Sequence, residues 1–308
     1  MTISVAIIGM GFGGDVHIKA FDNHKDFKIY SLTDNGSGKA EKFKEKLSLN
    51  CKIITNIKEI AENKEIDMVS LAIPPSLQIP FTSIFLKKGK IVLCEKPFGN
   101  CQEDVLEFLN SFPNPKNLFF NFIFRHESMF KKIISMNKNN FVKNIRVNWQ
   151  TKKLRKEGWR KRNNPIHIDR GIHIFDYIQE IQKINEWNVI SKKNDYDQTD
   201  LRIIINNKIN VQIFLSRKSK YYEGHLLEIS SENKKIISEH KYPFSQDSKS
   251  LKFIEGQNTT NLDFEKRKIE DDRILSMISN LNYVKKKIGF KTDEAERILK
   301  TWKILSQI

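Results

Sequence analysis

Cysteine is scarce in this chain, and long apolar runs are missing. The 308 residues include three cysteines, Cys51, Cys94 and Cys101, which are too few and too scattered for a disulfide framework or a zinc site. No apolar run approaches the roughly 18 residues needed to cross a bilayer. The apolar residues 1–8 carry no basic leader and run directly into glycines, as a buried strand does and a signal peptide does not. We therefore expect a protein of the reducing cytoplasm, with no metal site and no membrane partner.

Acidic residues are also in deficit. The chain has 37 Asp and Glu against 53 Lys and Arg, a formal net charge of +16, and this sign raises the question of nucleic acid. The lysines are spread along the whole chain, however, and no helix-turn-helix, RNA-binding or zinc signature accompanies them. We interpret the charge as a solvated surface, which could also favour an anionic small substrate. We expect no nucleic-acid partner.

The first 120 residues have the pattern of an α/β domain. Continuous apolar runs, typical of strands buried on both faces, alternate there with segments of helical period. The predicted strands are residues 4–8, 27–33, 68–73, 90–94 and 117–122. This alternation predicts a doubly wound parallel sheet. Because 308 residues exceed the usual single domain, we assign residues 1–120 to this domain and 121–308 to a second one.

Residues 121–308 predict an α+β domain with an open, mostly antiparallel sheet. Predicted strands at 143–151, 199–205, 210–217, 225–231 and 235–240 follow one another with short connections. The turn signal Asn206-Asn207 between two of them favours a meander. Helical spacing recurs at 127–136, at 171–184 and in the C-terminal region. We expect one face of the open sheet to be apolar and uncovered, and to form a homodimer or homotetramer.

A glycine-rich turn follows the first predicted strand. Gly9, Gly11 and Gly14 stand in the GxGxxG spacing, with Phe12 and Gly13 between them. In this motif the first glycine makes the turn, the second lets a pyrophosphate approach the backbone, and the third packs the helix against the strand. The pyrophosphate then lies at a helix N-terminus, where N–H groups favour negative charge. The loop predicts a dinucleotide-binding site, the alternative being a glycine turn without a ligand.

The second predicted strand ends at an acidic residue, Asp34. An acid there accepts hydrogen bonds from the adenosine ribose and repels a 2′-phosphate, so it favours NAD over NADP. The alternative is an Asx turn without contact to a cofactor. Lys39, close by, could tolerate a phosphate and keeps NADP open.

Further motifs carry a resemblance to a known family. They are Glu95-Lys96-Pro97, Pro74-Pro75, Asn121-Phe122-Ile123-Phe124-Arg125 and Asp169-x-Gly171-x-His173-x-x-Asp176, together with His17 after the glycine loop. In this order they resemble the Gfo/Idh/MocA family of glucose–fructose oxidoreductase, inositol dehydrogenase and the rhizopine-catabolism proteins. The resemblance implies an N-terminal Rossmann domain and hydride transfer between NAD(P) and a carbinol carbon of a sugar, cyclitol or nucleotide sugar.

The resemblance also implies roles for single residues. Lys96 would contact the reacting hydroxyl and help to move its proton, His173 would be the general acid–base, and Asp169 would bind substrate and orient the proton relay. Pro74, Glu95 and Lys96 would belong to the cofactor site. The alternatives are a surface Lys96 paired with Glu95, an N-capping Asp169 and a packed core His173.

Three further residues are candidates for substrate binding. Arg125 could clamp a substrate oxygen or phosphate, since a guanidinium gives two parallel hydrogen bonds, and a domain-interface ion pair is the alternative. Asp176 could bind substrate, cap a helix or form a salt bridge. Trp159 stands in a basic stretch, 152–162, that could hold a diphosphate or be a solvated loop.

The chain departs from the family pattern at several positions. The usual glycines before Asp169 are replaced by residues 163–168, the histidine common after the Pro-Pro loop is Gln78, and no proline follows Arg125. His167 could compete with His173 as proton relay. The sequence thus predicts a sugar or nucleotide-sugar dehydrogenase, for example in surface-polysaccharide synthesis. The alternative is a non-catalytic dinucleotide-binding regulator of the same fold.

Overall fold

A computed structural model describes residues 2–113, 115–137, 141–152, 165–220, 222–241, 248–264 and 271–308. The chain forms two compact units. The first consists of residues 1–123 and 273–299, and the second of residues 124–272 and 300–308. The segment 273–299, which the sequence placed with the second domain, thus packs with the first unit. Within the described ranges, none of the helices combines the length and the apolar character that crossing a bilayer requires.

The first unit is built on a six-stranded parallel sheet in the order β3-β2-β1-β4-β5-β6. Its strands are β1 Ile3–Ile8, β2 Phe27–Thr33, β3 Lys52–Ile53, β4 Met68–Leu71, β5 Ile91–Cys94 and β6 Leu118–Phe120. The helices between them are α1 Phe12–Asp22, α2 Lys39–Lys46, α3 Ile57–Glu62, α4 Pro75–Lys87 and α5 Gln102–Ser111. This strand order, which reverses between β1 and β4, is that of the Rossmann fold and confirms the predicted class.

Burial explains why the central strands are apolar throughout. Every residue of β4 and β5 is buried, as expected of strands with helices on both faces. Beyond β5, the ring of Phe98 lies edge-on to Phe108 and Phe120, with centroids 5.0 and 4.9 Å away. This aromatic cluster packs the segment that directly follows Glu95, Lys96 and Pro97 at the carboxyl end of β5.

The second unit is built on an eight-stranded sheet in the order β14-β13-β12-β11-β7-β10-β9-β8. Its strands are β7 Asn144–Gln150, β8 Trp187–Asn194, β9 Gln198–Ile205, β10 Ile209–Ser216, β11 Gly224–Ser230, β12 Lys234–Lys241, β13 Lys249–Glu255 and β14 Asn258–Asn261. Within this sheet, β7 and β10 are the only described strands that pair in parallel. The predicted α+β class with a mostly antiparallel sheet is confirmed.

One face of this second sheet is buried beneath a helix. The remaining helices among the described residues are α6 Ile123–His126, α7 Ser128–Met136, α8 Ile166–Ile181, α9 Asp272–Lys287 and α10 Glu294–Leu305. Helix α9 belongs from Arg273 onward to the first unit. Helix α8 packs against β9 and β10, and its residues 170–178 are all buried. The inward side chains of the sheet, such as Ile145, Val147, Ile213 and Leu227, are at most 2% exposed.

The opposite face of the sheet is mainly polar, which corrects the expectation of an apolar uncovered face. Its middle strands present half-buried or exposed side chains in the rows Asn144, Arg146, Asn148 of β7, Asn210, Gln212, Phe214 of β10 and Leu226, Glu228, Ser230 of β11. Phe214 and Leu226 are isolated among amides and charges in these rows. Most inward positions are apolar because they are buried, whereas the alternate outward positions carry groups that water can solvate.

Candidate functional site

The glycine loop forms a turn between β1 and α1. Gly9 has φ +103°, and a Cβ there would lie 2.3 Å from the carbonyl oxygen of Ala72. A Cβ at Gly14 would lie 2.4 Å from the carbonyl oxygen of Gly9, so both positions have room only for glycine. A Cβ at Gly11 would meet no described atom within 4 Å beyond its chain neighbours. The second glycine therefore faces open space.

Helix α1 begins directly at this open space. Gly11 is the N-cap residue and has no side chain to cap the helix, and Phe12 and Gly13 supply backbone of its first turn. The first N–H groups of a helix lack intrahelical partners and attract anions. The loop thus fits a dinucleotide pyrophosphate in backbone conformation, in available room and in the polarity of the helix end.

Asp34, directly after β2, accepts hydrogen bonds from the loop that follows and from the first two residues of α2. Its carboxylate receives the N–H of Gly36 at 2.9 Å, Lys39 at 2.6 Å and Ala40 at 3.1 Å, and the hydroxyl of Ser37 at 3.0 Å. Partial burial raises the pKa of Asp34, but these hydrogen bonds outweigh it and bring the pKa below its usual value. The Asx turn that the sequence left as the alternative is present. It holds an ionised carboxylate at the strand end, where a ribose binds in such folds.

The Glu95-Lys96-Pro97 segment follows β5 at its carboxyl end. The N–H of Glu95 donates to the carbonyl of Leu71 at 2.9 Å, so the segment starts in register with β4. The Lys96–Pro97 peptide bond is cis. Pro74 precedes α4 at the end of the neighbouring strand, and its carbonyl accepts the N–H of Leu77 at 3.0 Å. Lys96 and Pro74 therefore both lie at the edge of the sheet where such folds bind ligands.

Glu95 is bonded to a buried histidine, which sequence reasoning had noted only as part of a motif. Nε2 of His17 lies 2.9 Å from Oε1 of Glu95, and Nδ1 lies 2.7 Å from Oγ of Ser70. The amide of Asn121 donates to the same Oε1 at 2.7 Å. Burial raises the pKa of Glu95, but the bond and charge of His17, with the Asn121 bond, lower it below the ordinary value. The carboxylate is thus anionic at neutral pH.

Gln78 stands where the family often has a histidine. Its side chain is buried, and its amide donates to the carbonyl of Ile73 at 3.1 Å. Gln78 therefore stabilises the backbone that follows β4 and adds no titratable group to the site.

Asp169, His173 and Asp176 lie on one side of α8, as their spacing predicted. Asp169 accepts a hydrogen bond from the guanidinium of Arg217 at 2.9 Å. It stands inside the first turn, whereas the N-cap residue is Pro165. Sequence reasoning missed Arg217, which directly follows β10, the parallel neighbour of β7.

His173 lies in an aromatic cluster of the second unit. Its ring centroid is 5.2 Å from that of Phe124 and 6.3 Å from that of Trp149. His225 lies in the same cluster, 3.1 Å from the hydroxyl of Tyr177. Burial lowers the pKa of His225 to about 3, so this second histidine is neutral. The cluster surrounds His173 with rings that carry no charge at neutral pH.

Arg125 and Asp176 are bonded to each other. Nε of Arg125 lies 2.9 Å from Oδ2 of Asp176, and their side chains are 7% and 3% exposed. A second carboxylate, that of Glu180, lies 4.0 Å from the guanidinium. The ion pair left open by the sequence is therefore present, and both partners belong to the second unit.

His167 lies on a different side of α8 from His173. Its Nδ1 is 2.9 Å from the side-chain amide of Asn194 on β8. Burial lowers the pKa of His167, and the bond with Asn194 offsets only part of this effect. Since positions 167 and 173 are about 120° apart around a helix, the two imidazoles face different surroundings. Trp159 and residues 153–162 of the basic stretch lie outside the described residues.

A buried charged cluster lies elsewhere in the second unit. Glu127, His240 and Asp272 place ligand-type atoms within 4.8 Å of one another. The ammonium of Lys249 contacts the carboxylate of Glu127 and lies 2.9 Å from that of Asp272. The positive charge between these two carboxylates thus comes from a lysine of the chain itself.

The comparisons with known proteins agree with this geometry. Residues 3–120 match the family model described as oxidoreductase family, NAD-binding Rossmann fold. An uncharacterized oxidoreductase of Synechocystis sp. is 31% identical over 105 residues, which are 34% of this chain and 28% of that protein. This chain thus covers less than a third of that relative's length.

Two further proteins are similar along most of the chain. Inositol 2-dehydrogenase of Rhizobium meliloti is 23% identical over 260 residues, 80% of this chain and 78% of that one. The crystal structure of a 3-ketoreductase from Actinomadura kijaniata, in complex with NADP and TDP-benzene, has a TM-score of 0.80 at 11% identity over 100% of this chain and 97% of that one. At this identity the likeness establishes the fold alone. Residues 3–120 are thus similar to the Gfo/Idh/MocA family of oxidoreductases with an NAD-binding Rossmann fold.

Proposed function

We propose that the protein transfers hydride between a nicotinamide dinucleotide and a carbinol carbon of a polyol, sugar or nucleotide-linked sugar. The observation that carries this proposal is the loop at Gly9, Gly11 and Gly14. It leaves open space at Gly11 directly before an uncapped helix N-terminus. Such a site suits a pyrophosphate, and Lys96 follows at the same edge of the sheet.

Asp34 supports NAD as the preferred cofactor. Its carboxylate is ionised at neutral pH and remains at the strand end, so it would repel the 2′-phosphate of NADP. Lys39 is the first residue of α2, which follows this loop, and its cationic side chain is the feature that keeps NADP open.

Lys96 and His173 are the residues to which we assign the proton. Oxidation of a carbinol sends hydride to the cofactor and releases the hydroxyl proton, so a base must accept it. The nicotinamide, when bound, supplies the hydride acceptor or, in the reverse direction, the donor. In this proposal Lys96 contacts the hydroxyl oxygen, His173 takes up or returns the proton, and Asp169, already held by Arg217, orients the substrate.

The substrate class is inferred from the relatives and from the charge of the chain. Inositol 2-dehydrogenase acts on a cyclitol, and the 3-ketoreductase structure contains a TDP compound. The net charge of +16 would favour a phosphorylated or nucleotide-linked substrate. Because Arg125 and Asp176 form an ion pair with each other, we propose that they hold helix α8 in place near His173.

Two steps test this function. A fluorescence titration should show saturable NADH binding, and no binding at millimolar NADH would contradict the proposal. Lys96→Met and His173→Asn should then abolish most turnover while NADH affinity is largely kept. Lys88→Met is the matched control, since Lys88 is an exposed lysine paired with Glu62, and it should leave both quantities unchanged.

A non-catalytic dinucleotide-binding regulator is the alternative function. It requires only the glycine loop and Asp34, so it would bind NADH normally yet give no turnover with any polyol or sugar. In that case Lys96→Met would change nothing that can be measured. The two functions are therefore separated by turnover of the wild type.

Location and assembly are part of the same proposal. We place the protein in the cytoplasm, where NAD(H) is available and where the free thiols of Cys51, Cys94 and Cys101 remain reduced. We also propose a homodimer or homotetramer that forms through the mainly polar outer face of the second sheet. Sedimentation at micromolar concentration tests it, and a monomer would contradict it.

A further inference from the structure

We propose that His17 is a positioning residue that acts through Glu95 on Lys96. This inference rests on the proposed function, because it gives His17 a part in the work of Lys96. His17 lies in α1, three residues after the last glycine of the loop, and its side chain is fully buried. It thus joins the helix that begins at the cofactor site to the strand end that carries the lysine.

The contacts of His17 run between three elements of the first unit. Nδ1 is bonded to the hydroxyl of Ser70 on β4 at 2.7 Å, and Nε2 to Oε1 of Glu95 at 2.9 Å. Since the carboxylate of Glu95 is anionic, Nε2 must carry a proton and donate it. Nδ1 is hydrogen-bonded to the hydroxyl of Ser70, a group that can donate or accept. A histidine is suited to this bridge because its two nitrogens lie on opposite sides of a rigid ring.

The two oxygens of Glu95 have different partners. Oε1 accepts from His17 and from Asn121, whereas Oε2 accepts the backbone N–H of Lys96 at 3.2 Å. Any rotation of the carboxylate that follows the loss of His17 therefore disturbs the backbone from which the Lys96 side chain extends. The carboxylate links the buried histidine to the lysine main chain.

A second support for Glu95 comes from α9. The amide of Asn280, only 1% exposed, donates to the carbonyl of Phe120 at 3.1 Å and to Oδ1 of Asn121 at 3.3 Å. Because Oδ1 of Asn121 accepts there, its amide nitrogen must face Glu95. The orientation of Asn121 is thus determined by α9, and Glu95 is held from two sides, by the amide N–H of Asn121 and by the N–H of His17.

The chain contains a matched control for His17. His24 is also a buried histidine of the first unit, and its Nε2 lies 3.3 Å from Oδ1 of Asn282 on α9. It has no contact with the Glu95 carboxylate among the bonds of the described residues. Replacing it removes a buried imidazole and a bond to α9, but leaves the bonds of Glu95 intact.

The experiment compares three variants with the wild type: His17→Leu, His17→Gln and His24→Leu. For each protein we would measure kcat, KM, NADH affinity and the hydrogen–deuterium exchange of the peptide that contains Lys96. His17→Leu should lower kcat by about tenfold to a hundredfold, as a misplaced reacting group does, and should speed exchange around Lys96. NADH affinity should be nearly unchanged. His17→Gln keeps an N–H donor for Glu95 and should recover most of kcat and of the protection, while His24→Leu should alter neither.

The outcomes separate this inference from the proposed function. A His17→Leu enzyme with the kcat and exchange of the wild type would overturn the inference and leave the proposed function intact. Equal losses in His17→Leu, His17→Gln and His24→Leu would also overturn it, since they would indicate a general loss of packing. If the wild type has no turnover, the proposed function fails, and the exchange measurement still decides whether His17 positions the Lys96 backbone.

Discussion

Replacing Gly11 with alanine should separate cofactor binding from folding. The backbone at Gly11 has φ −85° and ψ −154°, an extended conformation that L-residues adopt. A Cβ there would meet no described atom within 4 Å beyond its chain neighbours. The added methyl group would instead occupy the space that a pyrophosphate needs.

The expected change in stability is small because two effects oppose each other. Alanine is a poorer N-cap residue than glycine, at a cost of roughly 0.5–1 kcal/mol, whereas losing a glycine stabilises by roughly 0.4–1 kcal/mol through the unfolded chain. The free energy of unfolding should therefore stay within about 1 kcal/mol of the wild type. The dissociation constant for NADH should rise by about a hundredfold, equivalent to ~2.8 kcal/mol of binding free energy.

Gly14→Ala provides the contrast within the same loop. Its Cβ would lie 2.4 Å from the backbone oxygen of Gly9, which cannot move like a side chain, so this variant should lose folded protein as well as binding. Urea unfolding followed by circular dichroism, together with NADH fluorescence, measures both quantities. A Gly11→Ala protein that binds NADH as tightly as the wild type would refute the assignment of the loop.

Three further predictions concern charged groups. Lys249→Met should destabilise the fold by about 3–5 kcal/mol in urea unfolding, because it removes the buried ammonium that contacts Glu127 and lies 2.9 Å from the carboxylate of Asp272. A loss below about 1 kcal/mol would contradict this. The difference in free energy of unfolding between Lys249→Met and the wild type should decrease in acid. Burial raises the pKa of Glu127 despite Lys249, so a proton can neutralise this carboxylate there. Asp34→Ala should weaken NAD binding and reduce the preference over NADP, whereas an unchanged ratio of the two dissociation constants would contradict a ribose contact. Folding lowers the pKa of Glu95. The ionised carboxylate therefore contributes to stability above the ordinary glutamate pKa, and this contribution is lost as the pH falls through the pKa of the folded state. The thermal unfolding temperature of Glu95→Gln should depend less on pH in the acid range than that of the wild type.

The Rossmann half could be predicted from the sequence because its signals are local. Each buried parallel strand is a continuous apolar run, and the glycine spacing at Gly9, Gly11 and Gly14 encodes the turn that follows β1. The short strand β3, Lys52–Ile53, was missed since two residues at a sheet edge give no periodicity. The family resemblance was carried by residues in the right order, and the match over residues 3–120 confirms it.

The second half was predicted less completely because its pattern depends on tertiary context. Helix α8 begins at Ile166 rather than at residue 171, since Pro165 at its N-cap position was not used as a start signal. Strand β8 is largely exposed and shows no clear apolar alternation, so it was not predicted. The polar outer face of the sheet could have been read from the alternation in β7 and β10.

The bonds of the candidate site lay beyond sequence reasoning. Asp169 and Arg217 are 48 residues apart, and His17 and Glu95 are 78 residues apart, so spacing along the chain gives no sign of either pair. The sequence did provide the residue types: an acid and a lysine at strand ends, and histidines on helices. Only the folded chain shows that Arg125 and Asp176 are bonded to each other.

Hydride transfer itself is the most direct test of the account. The wild-type protein would be incubated with NAD and a set of inositols, sugars and nucleotide sugars labelled with deuterium at each carbinol carbon. We predict that one substrate class forms NADH, seen by its absorbance, with the deuterium at C4 of the nicotinamide. Tight NAD binding without label transfer from any substrate would contradict the enzyme assignment and leave a dinucleotide-binding regulator.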